Sequence, residues 1–477
     1  MHRLGVVILF LLTTLVAAEV YAEERYGPGV TNTTIRLGQT MPYSGPTSVY
    51  GTYGKSQAAF FRMINERGGV NGRKIELLSL DDGYSPPRTV EQVRKLVEQE
   101  QVLAIFSSFG TPTNAAIVKY LNLKKVPHLF VTSGAAEFAD PKIYPWTMGW
   151  RVNYVAEARV YARYLLQARP NVKIAALFQH DDAGRDYMRG LREGLGDRAA
   201  KMIVAEATFE VTDPTVDSQI VSLKASGADT LFVLGSAKST AQAIRKVGDL
   251  GWHPLQFVGN TAASVATVMK PAGLDKSVGV ISGAFLKDPT DSHWQNDAGL
   301  KEWLDFMKKY YPEGDVTDLY NVYAYATAQT LVQVLKQCGD DLTRENLMRQ
   351  AANLKDFELA ILIPGIRINT GPQDYSPIEQ MQLQRFDGKQ WVLFGDHHTL
   401  IACRFWIFSF SISPSGTAPH PKIFPVCARR PASLRIQSGF NLPAQRPLLK
   451  ARPSGRPSPI RRGISHGERQ VSSGHPQ

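Results

Sequence analysis

Two adjacent pairs of carboxylates, Asp81-Asp82 and Asp181-Asp182, are the groups in this chain best suited to chemistry. Paired acids can share the roles of proton donor and acceptor when their surroundings push their pKa values apart. His180 adjoins the second pair. Lys238 is a cation at the start of a helical pattern, where the helix dipole disfavours it, so a functional use is a live alternative. Yet no nucleophile, metal-ligand spacing or phosphate loop accompanies these groups. Asp81 and Asp82 are expected to cap and orient a loop, Asp181 and Asp182 to build a loop or lend polarity to a cleft. His180 reads as a satisfied strand-end residue. No catalysis, metal or cofactor is expected.

A different pattern lies in FSSFGTPTNAAIVKYL, residues 106–121, where a buried strand hands over to an apolar-periodic helix. Hydroxyls and glycine crowd that junction, more than a turn requires. A ligand approaching main-chain N–H groups at a helix start would need such small residues.

The elements that must position these residues alternate between short strands and longer helices. TIRLGQT, KIELLSL, VLAIFS and HLFVTS alternate with helical patterns near 51–67 and 88–100 and with the one just quoted. A second series has strands at 173–180, 203–209, 229–235 and 255–260, with helices at 155–168, 184–195, 215–226 and 238–250. VGVISGAFL follows, then helices near 298–310, 317–337 and 343–353, then antiparallel strands IRINT, QMQLQRF and QWVLF. The repeated unit argues for two α/β lobes, each a doubly wound parallel sheet. Such lobes bind ligands at the carboxyl ends of their strands and in the cleft between them. Those ends read FSSFGT, VTSGAA, QHDDAG, LGSAKS and VGNTAA, all small with hydroxyl or amide groups.

Charge and cysteine content exclude other classes. The chain carries 54 Lys+Arg against 43 Asp+Glu, but residues 397–477 hold 12 of the bases and one acid, Glu468. The body before them balances, so its charge points to no nucleic-acid partner. The last 81 residues are rich in Pro, Ser and Arg. Three readings stand for them: an out-of-frame end, a basic tail for anionic surfaces, or a small added module. Disorder is expected there. Residues 1–22 carry Arg3, a short apolar run and Val20/Ala22 at a signal-peptidase pattern, so export by a cleaved leader is expected. Cys338 is the only cysteine of the patterned body, so no internal disulfide holds it.

The stretch GQTMPYSGPTSVYGTYGKSQAAFFRMINERGGVNGRKIELLSLDDGYSPPRTVEQVRKLVEQEQVLAIF resembles the periplasmic substrate-binding proteins of branched-chain amino acid ABC transporters. Pro42, Ser44, Gly45 and Gly51, then Asn65, Gly68 and Gly69, the Asn71-Gly72 turn and Asp81-Asp82 before a proline-started helix carry the likeness. It spans about 33–396. The resemblance implies a Venus-flytrap of the type I periplasmic-binding class, with crossovers near 140–147, 278–285 and 355–365. Lobe 1 would take 32–142 and 284–356, and lobe 2 would take 146–280 and 362–396. The family grip on a ligand carboxylate maps to Phe109, Gly110 and Thr111, and to Ser133, Gly134 and Ala135. Thr111 or Thr113 as a plain N-cap is the alternative for the first group.

Departures from the family pattern bear on the ligand. The lobe 2 acid that holds an ammonium group is replaced by Gly259-Asn260-Thr261. Aromatic positions are Ala183 and Ala237, the latter beside Lys238. An aromatic or aliphatic acid without a free amine, or an amide-like compound, is therefore expected, because an unpaired ammonium in a closed cleft is costly, with a branched-chain amino acid as the alternative the resemblance implies. Tyr43 and Tyr50 are candidate contacts on the loop after the first strand. Trp146, Trp150, Arg151 and Tyr154 form either a cleft wall with a cation or hinge packing. The expected partners are a small carboxylate-bearing ligand and an ABC permease, with the protein a monomer in the periplasm. The rivals are a ligand-sensing receptor or regulator on the same fold and, more remotely, an enzyme.

Overall fold

The computed structural model describes residues 25–400. The first sheet has the strand order β3-β2-β4-β5-β6, all parallel. Its members are β2 (Thr34–Met41), β3 (Lys74–Asp81), β4 (Ala104–Phe106), β5 (His128–Val131) and β6 (Thr147–Gly149). A two-residue strand, β1 (Arg25–Tyr26), pairs separately with β12 (Asp341–Leu342). Apolar runs such as AIF and HLFV are buried throughout, as a sheet covered on both faces requires. On one face, Val93 of α2 (Pro86–Arg94) and Ile117 and Leu121 of α3 (Thr111–Leu123) cover Ile105. On the other lie α1 (Thr52–Glu66) and, packed on α1, a 20-residue helix, Leu319–Cys338.

The second sheet runs β14-β13-β11-β10-β9-β7-β8. Its parallel part is β7 (Ile174–Gln179), β8 (Ile203–Phe209), β9 (Thr230–Leu234), β10 (Leu255–Val258) and β11 (Ile281–Ala284). Strands β13 (Gln380–Phe386) and β14 (Trp391–Thr399) add to β11 antiparallel. The helices here are α4 (Tyr154–Ala168), α5 (Asp182–Leu195), α6 (Asp217–Ala225) and α7 (Ala237–Asp249). Then follow α8 (Ala298–Tyr310), the long α9 (Leu319–Cys338) and α10 (Arg344–Ala351). The fold class read from the sequence is therefore the one observed.

Three details differ from the sequence reading. β6 pairs with β5, so the first sheet continues past residue 142, into the segment from 146 onward assigned above to lobe 2. IRINT makes only isolated bridges, of Ile368 with Phe357 and Ile378, and is not a sheet strand. β14 runs to Thr399, past the start assigned to the tail. The leader and the rest of the tail lie outside the described residues. No helix among the described residues is long and apolar enough to cross a membrane.

Candidate functional site

The carboxyl ends of the two sheets face one another across a small cavity of about 50 Å³. From the first lobe, Tyr50, Tyr84, Phe109, Gly110 and Thr111 line it. From the second come Gln179, Ala183, Tyr187, Ser236 and Thr261, and the segment leaving β6 supplies Arg151 and Tyr154. The aromatic rings form two stacked pairs. Tyr50 stacks on Phe109 at 4.3 Å between centroids in one, and Tyr154 stacks on Tyr187 at 4.5 Å in the other.

Hydrogen bonds cross the cleft. The Ala237 N–H, from the second lobe, donates to the Tyr50 hydroxyl at 2.7 Å. The Tyr320 hydroxyl donates to the Thr261 carbonyl at 2.9 Å. The Ala136 N–H donates to Asp186 Oδ2 at 2.7 Å, and Ser264 Oγ donates to Asp318 Oδ1 at 2.9 Å. These pairs join residues more than 45 positions apart and hold the lobes in a closed arrangement. Burial pushes the Tyr50 hydroxyl up to about 12, so it stays protonated.

Arg151 is the cation of the site. Its guanidinium is buried, donates from Nη2 to the Tyr53 hydroxyl, and lies 4.3 Å from the centroid of the Tyr323 ring. Nη1 reaches Asn260 Oδ1 at 3.5 Å. Among the described residues it forms no ion pair. The nearby acid is Glu157 on α4, which the sequence reading did not single out. Its carboxylate takes the Asn260 N–H at 2.7 Å, the Tyr187 hydroxyl at 3.0 Å, and further bonds from Tyr161 and the Asn260 amide. Burial raises its pKa, against those hydrogen bonds. So an acid does reach the Gly259-Asn260-Thr261 turn, from behind, with its acceptors already occupied.

Of the residues singled out from sequence, Tyr50, Phe109, Gly110, Thr111, Ala183 and Thr261 line the cavity. Their surroundings change the expected roles. The Phe109 and Gly110 N–H groups donate to the Thr40 and Thr132 carbonyls, so they are committed to the fold. Gly110 has φ +100°, and a Cβ there would strike the Tyr84 ring, so the glycine makes room for Tyr84. Gly110 itself is the N-cap of α3, without a side-chain cap, and neither Thr111 nor Thr113 plays that part. Ser133 Oγ bonds Thr111 Oγ1 at 2.7 Å and accepts from the Ala135 N–H at 3.1 Å. The Gly134 carbonyl accepts from the Tyr154 N–H. Ser133, Gly134 and Ala135 therefore buttress the cavity from one layer behind.

Four other expectations fall elsewhere. The Tyr43 hydroxyl is held by Ser79 Oγ at 2.6 Å. The Trp150 indole N–H donates to Thr330 Oγ1, and its ring packs against Phe285, which is hinge packing. Lys238 reaches away to the Asp213 carbonyl at 3.0 Å, because the helix start leaves its long chain free to turn toward the preceding loop. The main chain of Ala237 serves the Tyr50 bridge, and its side chain is fully buried. The acid pairs are loop builders. Asp81 takes Ser44 and Gly83 N–H groups and, despite some burial, is held down to about 2; Asp82 takes Tyr84 N–H and Thr89. Asp181 caps α5, Asp182 pairs with Arg185, and His180 pairs with Glu210 at the surface. Sequence reasoning missed Tyr84, Gln179, Tyr187 and Ser236 as cavity residues. Gln179 and Ser236 lie within the quoted strand ends QHDDAG and LGSAKS, which was the available signal.

Two parallel α/β lobes closing on an aromatic cavity at their strand ends find their counterpart among known proteins. Residues 34–390 match the periplasmic binding protein family. The chain belongs to that family. "Leu/Ile/Val-binding protein homolog 7" from Brucella abortus is 23% identical over 364 residues, covering 72% of this chain and 86% of that protein. An "amino acid binding protein" from Pseudomonas aeruginosa is 20% identical over 310 residues, 64% of this chain and 78% of its own length. Among solved structures, a branched chain amino acid ABC transporter protein from Thermus thermophilus with bound valine shares the fold. Its TM-score is 0.69 at 15% identity, over 78% of this chain and 97% of that one. A fatty acid ABC transporter substrate-binding protein from Thermomonospora curvata gives a TM-score of 0.66 at 22% identity, over 79% and 95%. The periplasmic binding protein family is one of binding proteins rather than enzymes, in keeping with carboxylate pairs that serve loops.

Proposed function

We propose that this periplasmic binding protein is the solute-binding component of an ABC importer, capturing a small carboxylate-bearing ligand between its lobes. The observation that carries this is Arg151, a buried guanidinium without an ion-pair partner at a cavity lined from both lobes. A guanidinium keeps its charge at any physiological pH and suits a carboxylate's two oxygens. Bonds such as Tyr50–Ala237 exist only when the lobes meet, so ligand contacts to both lobes favour the closed state. The closed face is what a permease would recognise. Export to the periplasm, with residues 1–22 removed, belongs to the same reading. Leu/Ile/Val-type relatives make branched-chain amino acids one ligand class, and aromatic or aliphatic acids the other.

A thermal-shift screen of the full chain tests this, using amino acids, aromatic acids, aliphatic acids and amides. A true ligand at about 100 times its Kd stabilises by about 2.7 kcal/mol, which is readily seen. Silence across all four classes would sink the proposal.

A further inference from the structure

We infer that the ligand is a compact aromatic monocarboxylate of the benzoate kind, lacking an ammonium group, with Arg151 as its charge partner; this rests on the binding-protein reading above. Three observations converge. The first is the charge at the cavity wall. Arg151 is 6% exposed, and its bonds go to neutral groups, the Tyr53 hydroxyl and the Asn260 carbonyl oxygen. The Asn260 amide stands between it and Glu157, with Oδ1 toward Arg151 and Nδ2 toward the carboxylate. A buried cation held only by neutral dipoles gains from an anion delivered to it.

The second is the missing partner for an amine. Glu157 has both oxygens occupied by Tyr161, Tyr187 and two groups of Asn260. Asp181 near the cavity is spent on the Gly184 N–H and the Gln179 amide. Asp186 is spent on the Ala136 N–H and on Arg189. An ammonium group brought into this space would find no free carboxylate, and although ring faces attract a cation, the Arg151 guanidinium at the same cavity repels it.

The third is shape. Tyr50 stacked on Phe109 lines the cavity from one lobe, and Tyr154 stacked on Tyr187 lines it as a second pair, with Tyr84 6.0 Å from Phe109. Rings lining the cavity from two stacked pairs suit a planar aromatic ligand, which can meet their faces or edges. In this closed arrangement the space is about 50 Å³, less than a benzene-sized ring fills, so a ring enters only as the walls shift and anything bulkier is excluded.

Calorimetric titration of the full chain with benzoate, benzamide, 4-methylpentanoate and L-leucine tests the inference. Benzamide keeps the ring and removes the charge. L-leucine and 4-methylpentanoate share a carbon skeleton and differ in the amine. The expected result is benzoate tightest, benzamide at least 30-fold weaker, and L-leucine at least 100-fold weaker than 4-methylpentanoate. Arg151→Gln should weaken benzoate at least 30-fold and leave benzamide within threefold. If that variant does not fold, the benzoate–benzamide comparison on the unaltered chain decides alone. Benzamide matching benzoate, L-leucine equalling 4-methylpentanoate, 4-methylpentanoate exceeding benzoate, or no binding of any of the four would each overturn it. The broader binding-protein reading would survive those outcomes if any class in the thermal-shift screen stabilises the chain.

Discussion

Glu157 shows how much one buried side chain can organise. It gathers two tyrosine hydroxyls, a main-chain N–H and an amide, and thereby fixes the turn after β10 and the wall residue Tyr187. Removing it strands three of these donors in the interior, while the Tyr161 hydroxyl keeps the Val258 carbonyl at 3.2 Å. Glu157→Ala should therefore lower stability by about 3 kcal/mol, and Glu157→Gln by less, because the amide keeps one acceptor. Urea unfolding of the two variants checks this; equal losses below about 1 kcal/mol would refute it. Lys238 is the opposite case. Its ammonium serves the Asp213 loop, so Lys238→Ala should leave ligand affinity within about twofold, a surface-scale change. A larger loss in titration would return Lys238 to the site.

At the scale of elements, the β4–α3 junction explains the run of small residues in FSSFGT. Asn114 on α3 donates to the Ser108 carbonyl at 3.0 Å and to the Gly110 carbonyl, while its Oδ1 faces His128 Nε2 at 2.9 Å. Burial drives the His128 pKa down to about 3, so the ring is neutral in the fold. The hydroxyls in this stretch bond to the next strand end and to main chain, as Ser107 does with Thr132, Thr111 with Ser133 and Ser108 with the Thr40 N–H. They leave Tyr84 and Phe109 to face the cleft. Asn114→Ala should cost about 1 kcal/mol by leaving His128 Nε2 without its partner, the Ser108 carbonyl keeping the Thr132 N–H, and should weaken ligand binding as the loop relaxes. Unchanged thermal stability in that variant would show that the junction does not depend on Asn114.

At the scale of the whole molecule, closure is carried by bonds between lobes. Tyr50→Phe removes the acceptor of the Ala237 N–H and should weaken ligand binding about threefold to tenfold, mostly in the dissociation rate. An unchanged rate would mean that this bridge adds nothing to the closed state. The Ser264–Asp318 bond between the lobes contains a carboxyl that titrates far from its ordinary range. Burial pushes Asp318 up to about 7 and Asp288 up to about 6, with Asp315 also acting on Asp318. A carboxyl with a raised pKa holds a proton that the unfolded chain releases. Its contribution is neutral below about pH 4, and stability falls as pH rises from there toward 7. Asp318→Asn should flatten that slope and raise stability at pH 8, by up to about 4 kcal/mol. A slope unaltered in melting curves between pH 4 and 8 would refute the assignment. Asp288 should preserve a smaller slope up to about pH 6.

The sequence by itself determined the architecture. Strand and helix periods are local properties, and ten or more near-matching elements, from TIRLGQT to QMQLQRF, followed from them. It also determined which loops meet the cleft, because parallel strands put their carboxyl ends on one edge. The isolated bridges of IRINT were not legible, since pairing depends on partners distant in the chain. Nor were the roles of single residues. Tyr43, Trp150 and Lys238 have the right types in the right loops, yet each side chain turns to a nearer partner. Arg151 and Tyr154 could have been wall or hinge; tertiary structure placed them at the cavity. Glu157 lies in the first turn of YVAEARVYARYLLQA, where an acid reads as an ordinary helix-start residue and its sequence neighbours give no sign of the turn it supports 103 residues away. Local chemistry writes the elements, whereas the electrostatics of the site depend on which distant groups burial brings together.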